Sequence, residues 1–192
     1  MRTILKGLAL GSAAVALGGW SSTDEGRERD AEAFRRVNGG NGAGADRFYA
    51  AITELGSWWA AGAAAGALAV TGHRRAAARA LAAASMTWVA GQSLKKVFLR
   101  PRPYDADPDG TRLMIGKPHG TSWPSSHPAV LVSFLTVAGR ELGLPGTARG
   151  LLGALGNAVG VSRVYLGVHY PSDVTGGILL GRAVAELFGD GR

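Results

Sequence analysis

Charged side chains are absent from four long stretches of this 192-residue chain: Leu55 to Thr71, Ala80 to Leu94, Pro118 to Gly139 and Gly150 to Ser162 contain no Asp, Glu, Lys or Arg. A fifth stretch, Val174 to Phe188, carries only Arg182 and Glu186, spaced as an i,i+4 helical pair. Strand-like alternation of useful length, internal repeats and heptad arrays are all missing, so the pattern predicts an all-α protein. A spanning helix needs about 20 mostly apolar residues. Each stretch is therefore marginal by itself, and a soluble Ala-rich bundle competes with a membrane bundle.

The polar positions favour the membrane. If each apolar stretch crosses once, the turns carrying Arg74, Arg75, Arg79, Arg140 and Arg149 fall on one side, as the positive-inside rule requires. Trp20, Trp58, Trp59 and Trp123 then lie near the opposite boundary as an aromatic belt. Residues 1–20, with Arg2 and Lys6 ahead of an apolar run, read as a first spanning helix or a signal peptide. No small-x-small cleavage site precedes Ser21, which favours retention. Residues 21–50 read as a polar connection in which Asp24 to Val37 forms a surface helix ended by Gly39-Gly40-Asn41-Gly42. The expectation is one domain: a membrane-embedded bundle of about six helices, five if the N-terminal segment is removed, with 51–192 as the catalytic core.

Composition sharpens this. The 33 Ala and 30 Gly make up about a third of the chain, and small residues let helices pack closely in lipid. The net charge of +7 is spread thinly, with no basic tail or basic-aromatic stripe, which argues against nucleic acid. The lack of cysteine removes disulfides, thiol catalysis and Cys-ligated zinc.

Three clusters carry candidate chemistry: Lys95-x6-Arg102-Pro103, Pro124-Ser125-Ser126-His127, and Ser162-Arg163-x5-His169-x3-Asp173. They lie beside ends of apolar segments and meet on one side if those segments alternate. Phosphoryl transfer needs positive groups and N–H donors already placed around three equatorial oxygens. Lys95, Arg102 and Arg163 offer the charge, and Ser125 and the backbone around Ser126 offer donors. The two histidines are the candidates for in-line displacement. Asp173 is placed to accept the Nδ1–H of His169 and leave Nε2 free to attack, while His127 suits protonation of the leaving oxygen. Pro128 and Pro171 put both histidines just before helix starts.

These clusters resemble the signature of the type 2 phosphatidic acid phosphatase superfamily, which also includes vanadium-dependent haloperoxidases. The resemblance runs from Lys95 to Asp173 and departs at Ser126, where glycine is usual. It implies a phosphohistidine on His169 supported by Asp173, and His127 as acid and then base. It also implies a phosphate held by Lys95, Arg102, Ser125, Ser126 and Arg163, with no metal or cofactor. In size the chain is similar to small bacterial membrane phosphatases acting at the outer face on undecaprenyl diphosphate, phosphatidic acid or phosphatidylglycerol phosphate. The partners implied are a lipid phosphate and the bilayer. A vanadate-loaded haloperoxidase and a non-catalytic lipid-binding module are the alternatives.

Asp105-x-Asp107-x-Asp109-Gly110 begins like a calcium loop, but Pro108 interrupts it and the twelfth position is Gly116 rather than Glu, which favours a solvated loop. His119 in that loop has no assignable role, and His73 reads as part of a basic turn.

Overall fold

The computed structural model describes residues 2–189, and every regular element among them is helical. In chain order they are α1 (Arg2–Trp20), α2 (Asp24–Asn38), α3 (Ala43–Ile52), a 3-10 turn (Thr53–Gly56), α4 (Trp58–Val70), α5 (Arg74–Phe98), the short α6 (Pro103–Ala106), α7 (Ser126–Glu141), α8 (Gly146–Tyr165) and α9 (Pro171–Leu187). By length and composition, α1 is the one helix among the described residues that passes a full membrane-span criterion, and α4 is a shorter apolar helix.

Helix α7 occupies the middle. Ten of its sixteen residues are buried, and it packs against α5, α8 and α9. Small residues allow the close approach. A Cβ on Gly177 would lie 2.3 Å from the Ser125 carbonyl oxygen, and one on Gly181 would lie 2.4 Å from that of Ala129, so α9 runs parallel to α7 with backbone nearly touching backbone. Gly156 on α8 leaves room for Val132 of α7, and Gly160 for Val174 of α9. Beside these contacts the core is largely alanine, with Ala61, Ala65, Ala77, Ala80, Ala83 and Ala84 packed around Val130, Phe134 and Val137. Helix α1 lies against α9, with Gly7 over Ala183 at one end and Gly18 over Phe98 and Trp123 at the other.

The ends of the long helices sort into two groups. The starts of α4, α7 and α9 gather with the ends of α1, α5 and α8. Arg74, Arg75, Arg79, Arg140 and Arg149 lie at the opposite end. Large apolar side chains face outward from several helices, among them Leu5, Leu8 and Val15 of α1, Val89 of α5 and Leu151 of α8.

Helix α2 follows its sequence closely. Thr23 caps it by accepting from the Gly26 N–H, Asp24 and Glu25 sit at its N-terminus, and Arg35 and Arg36 sit at its C-terminus, each matching the helix dipole. Its buried stripe, Gly26, Asp30, Phe34 and Asn38, repeats every four residues.

Three expectations change. Trp123 is fully buried against Phe98, with ring centroids 4.2 Å apart, so it is a core residue and not part of a boundary belt. Trp20, Trp58 and Trp59 remain at least partly exposed. Glu186 pairs across helices with Lys6 (2.8 Å) and Arg140 (2.7 Å) instead of with Arg182, because buried at 5% exposure it faces α1 and α7. His127 lies inside the first turn of α7, not before it, because that helix already starts at Ser126.

Gly181→Ala should destabilise the fold by about 1–3 kcal/mol, the usual cost of overpacking, whereas Gly19→Ala, with open space around it, should not. Thermal unfolding of the two variants beside the wild type checks this.

Candidate active site

The chain must turn sharply after α5 to bring its two downstream arginines inward. Leu99 makes that turn in the left-handed region, at φ 45°, and its N–H bonds the Lys95 carbonyl. This is an uncommon conformation for a residue with a side chain. Lys95 therefore ends its helix pointing into the same space that Arg100 and Arg102 enter from the following loop.

His169 lies in the loop between α8 and α9, at 2% exposure. Its Nδ1 is 3.4 Å from Asp173 Oδ2, and its Nε2 is 3.1 Å from Arg102 Nη1. Pro171 occupies the first turn of α9 and Asp173 sits within that turn, where its Oδ2 accepts the Tyr170 N–H at 2.8 Å. The same oxygen accepts the Ser122 hydroxyl at 2.5 Å, and the other carboxylate oxygen accepts Arg100 at 2.7 Å. Asp173 is thus held by three donors besides the imidazole, which sets the tautomer and ring orientation of His169. Burial and the nearby Arg102, Lys95 and Arg163 cations hold the imidazole pKa well below its ordinary value, so His169 is neutral.

The cations fall into two kinds. Arg100 is neutralised, with Asp30 at 2.7 Å on one side and Asp173 at 2.7 Å on the other; Ser172 also accepts from it, and the Tyr170 ring lies 4.2 Å away. Among the described residues, the other three bond only neutral groups. Lys95 donates to the carbonyls of Thr121 and Ser122. Arg102 donates to the carbonyls of Gly120, Val168 and His119, and Arg163 to the hydroxyl of Thr53. Among the described residues, the buried Ser125 Oγ, Ser126 Oγ and Arg163 Nε have no hydrogen-bond partner. Unmatched cations beside unpartnered polar atoms form a cluster that an anion would satisfy. His127 borders it, and Gly56 of the 3-10 turn approaches so closely that a Cβ there would lie 2.8 Å from the His127 Cβ.

The structure brings Lys95, Arg102, Ser125, Ser126, His127, Arg163, His169 and Asp173 to one end of the bundle. It adds three residues that the sequence motifs do not include: Arg100, Ser122 and Asp30. Arg100 stands two positions before Arg102 in the same Arg-Pro-Arg-Pro run, a signal open to reading. Asp30, on a charged helix, offered none. The acidic run behaves as a turn: Asp107 accepts the Gly110 N–H at 2.9 Å, and no metal-holding group of three His, Asp or Glu is found among the described residues. In the same loop the Tyr104 hydroxyl bonds the Pro118 carbonyl, and His119 contributes its own carbonyl to Arg102.

Comparison with known proteins agrees with this geometry. The sequence profile described as the PAP2 superfamily matches residues 75–188. A decaprenylphosphoryl-5-phosphoribose phosphatase from Mycolicibacterium smegmatis is 34% identical over 124 residues, which are 65% of this chain and 64% of that protein. The match therefore spans a little under two thirds of that relative. The crystal structure of LpxE from Aquifex aeolicus superposes with a TM-score of 0.74 at 27% identity, covering 82% of this chain and 92% of that one. A transmembrane PAP2-type phosphatidylglycerolphosphate phosphatase from Bacillus subtilis shares the fold, with a TM-score of 0.78 at 21% identity over 95% and 94% of the two chains.

Removing one partner of a buried ion pair leaves the other charge stranded, at a cost of about 3–5 kcal/mol. Asp30→Asn should lower stability by roughly the bottom of that range, since Asp173 still faces Arg100. Chemical denaturation of the variant measures it.

Proposed function

The chain belongs to the PAP2 superfamily, and on that premise we propose that it is an integral membrane lipid phosphatase working through a phosphohistidine, without a metal or cofactor. The observation that carries the reading is the pairing of a buried, neutral His169, backed by Asp173, with three cations that no carboxylate among the described residues neutralises.

In the proposed reaction Nε2 of His169 attacks the terminal phosphorus. The P–O bond to the leaving group breaks, and His127 gives that oxygen a proton. Arg102, Arg163 and Lys95 hold the three equatorial oxygens, helped by Ser125 and the backbone at Ser126. Arg102 now contacts Nε2 and would move its guanidinium onto the phosphate. His127, then neutral, takes a proton from water, whose oxygen attacks phosphorus and breaks the P–N bond. Inorganic phosphate leaves and both histidines return to their starting states. With a diphosphate substrate the leaving group is the lipid monophosphate.

The proposed spans are α1, α4, α5, α7, α8 and α9. Outward apolar side chains on these helices support lipid contact, and the arginines at the end away from the site favour an extracytoplasmic active site. Helix α4, at 13 residues, is about 20 Å long and would need local thinning of the bilayer. A polyprenyl diphosphate or related polyprenyl-linked phosphate is the proposed substrate class, supported by the decaprenyl-linked substrate in the name of the mycobacterial relative. Phosphatidic acid and phosphatidylglycerol phosphate are its competitors.

Purified protein in detergent should release phosphate from a panel of these lipids, fastest from the polyprenyl diphosphate. Release should persist in EDTA, be inhibited by vanadate and fall at least about a thousandfold in His169→Ala. Full activity in that variant would remove the proposed nucleophile, and no release from any lipid would sink the reading. The attacking form of His169 is neutral, and its depressed pKa keeps it neutral on the acid side. The acid limb of kcat/KM that it controls should therefore lie below the ordinary imidazole value of about 6.5, as a pH–rate profile would reveal.

A further inference from the structure

The end of the bundle farthest from His169 holds a second concentration of positive charge, around a crevice of about 420 Å³. Helix α7 runs from one site to the other, and its 16 residues put them about 24 Å apart. Four cations from four helices line the crevice: Lys6 of α1, Arg140 at the end of α7, Arg149 of α8 and Arg182 of α9. The carboxylate among them is Glu186, already held by Lys6 and Arg140. Arg149 and Arg182 are exposed and take no carboxylate among the described residues. Nearby Arg75 and Arg79, by contrast, share Glu141, at 3.2 and 2.7 Å.

We propose that this crevice binds the phosphate headgroup of an anionic phospholipid in the leaflet opposite the catalytic site. The inference rests on the membrane reading above. Arg149 and Arg182, which meet no carboxylate among the described residues, bring positive charge into one space beside Lys6 and Arg140, and a phosphate would relieve it. The space is there because α8 presents Gly146, Gly150 and Gly153 to it, and none of the three has another group within 4 Å of where a Cβ would stand. Beyond the charged mouth the lining turns apolar through Leu10, Val132 and Leu135. A free phosphate has no use for that surface, whereas the first carbons of an acyl chain do. A zwitterionic headgroup carries its own ammonium into a field already positive, so the crevice should favour phosphatidylglycerol over phosphatidylcholine.

The test is native mass spectrometry of the full chain in detergent with equal amounts of the two lipids. Phosphatidylglycerol should stay bound in preference to phosphatidylcholine, and the preference should fall about tenfold in the double variant Arg149→Gln/Arg182→Gln. Phosphate release from a short-chain soluble substrate should be unchanged in that variant, which shows that it is folded. Equal retention of both lipids, or an undiminished preference in the double variant, would overturn the proposal. A thermal shift caused by inorganic phosphate and lost in the double variant, without a lipid preference, would overturn the lipid assignment in favour of free phosphate. Recovery of the protein in the soluble fraction before any detergent is added would overturn the membrane reading itself, and fractionation reports that separately.

Discussion

A guanidinium at 5% exposure loses its hydration, and no single hydrogen bond replaces it. Arg100 meets that constraint by standing between two carboxylates, Asp30 from α2 and Asp173 from α9. The pairing joins three parts of the chain, the polar helix before it, the loop after α5 and the start of α9, beside the apolar cluster in which Phe34 of α2 meets Tyr170 and Val174. It also fixes one oxygen of Asp173, so that the other can face only Tyr170, Ser122 and His169. Two arginines separated by one proline thus bracket a single imidazole. Arg100 acts on its Nδ1 side through Asp173, and Arg102 contacts its Nε2 side directly.

The distinction between a neutralised cation and the cations proposed to hold phosphate follows from the partners. Arg100 is saturated by carboxylates, so a bound phosphate would gain little from it. Lys95, Arg102 and Arg163 lean on carbonyl and hydroxyl oxygens, which orient them without cancelling their charge. In the proposed reaction the cations are largely in place beforehand, and the rearrangement left is that of Arg102, whose guanidinium must leave Nε2 of His169. The alanine-rich packing around α7 serves the same end, because short side chains give each helix few ways to shift against the next.

Much of this was legible in the chain, for identifiable reasons. The helical class follows from apolar runs without alternation. The three clusters stand out because their spacings are local and their residue types chemically unusual beside apolar segments. What escaped notice depends on long-range pairing. Asp30 looks like any solvated acid on a helix that also carries Arg27, Arg29, Arg35 and Arg36, and only the fold shows that it lies on the buried stripe with Gly26 and Phe34. Ser122 is an ordinary serine until the loop brings it onto Asp173. Trp123 misled for the opposite reason: a tryptophan near the end of an apolar stretch reads as a boundary anchor, yet Gly18 and Gly176 make the space that buries it. Glu186 likewise chose partners on other helices over the one four residues back.

The stripe on α2 bears on what counts as the smallest working unit of this protein. The region shared with the superfamily profile begins at residue 75, inside α5. It contains every residue of the three motifs but not the outer member of the carboxylate pair, Asp30, which lies 45 positions before its start. A chimera that grafts residues 75–188 behind a foreign N-terminal segment would carry a complete set of recognisable motifs and still leave Arg100 short of a counter-ion. Transplanting the activity between relatives therefore means moving α2 together with the motifs, as a matched pair.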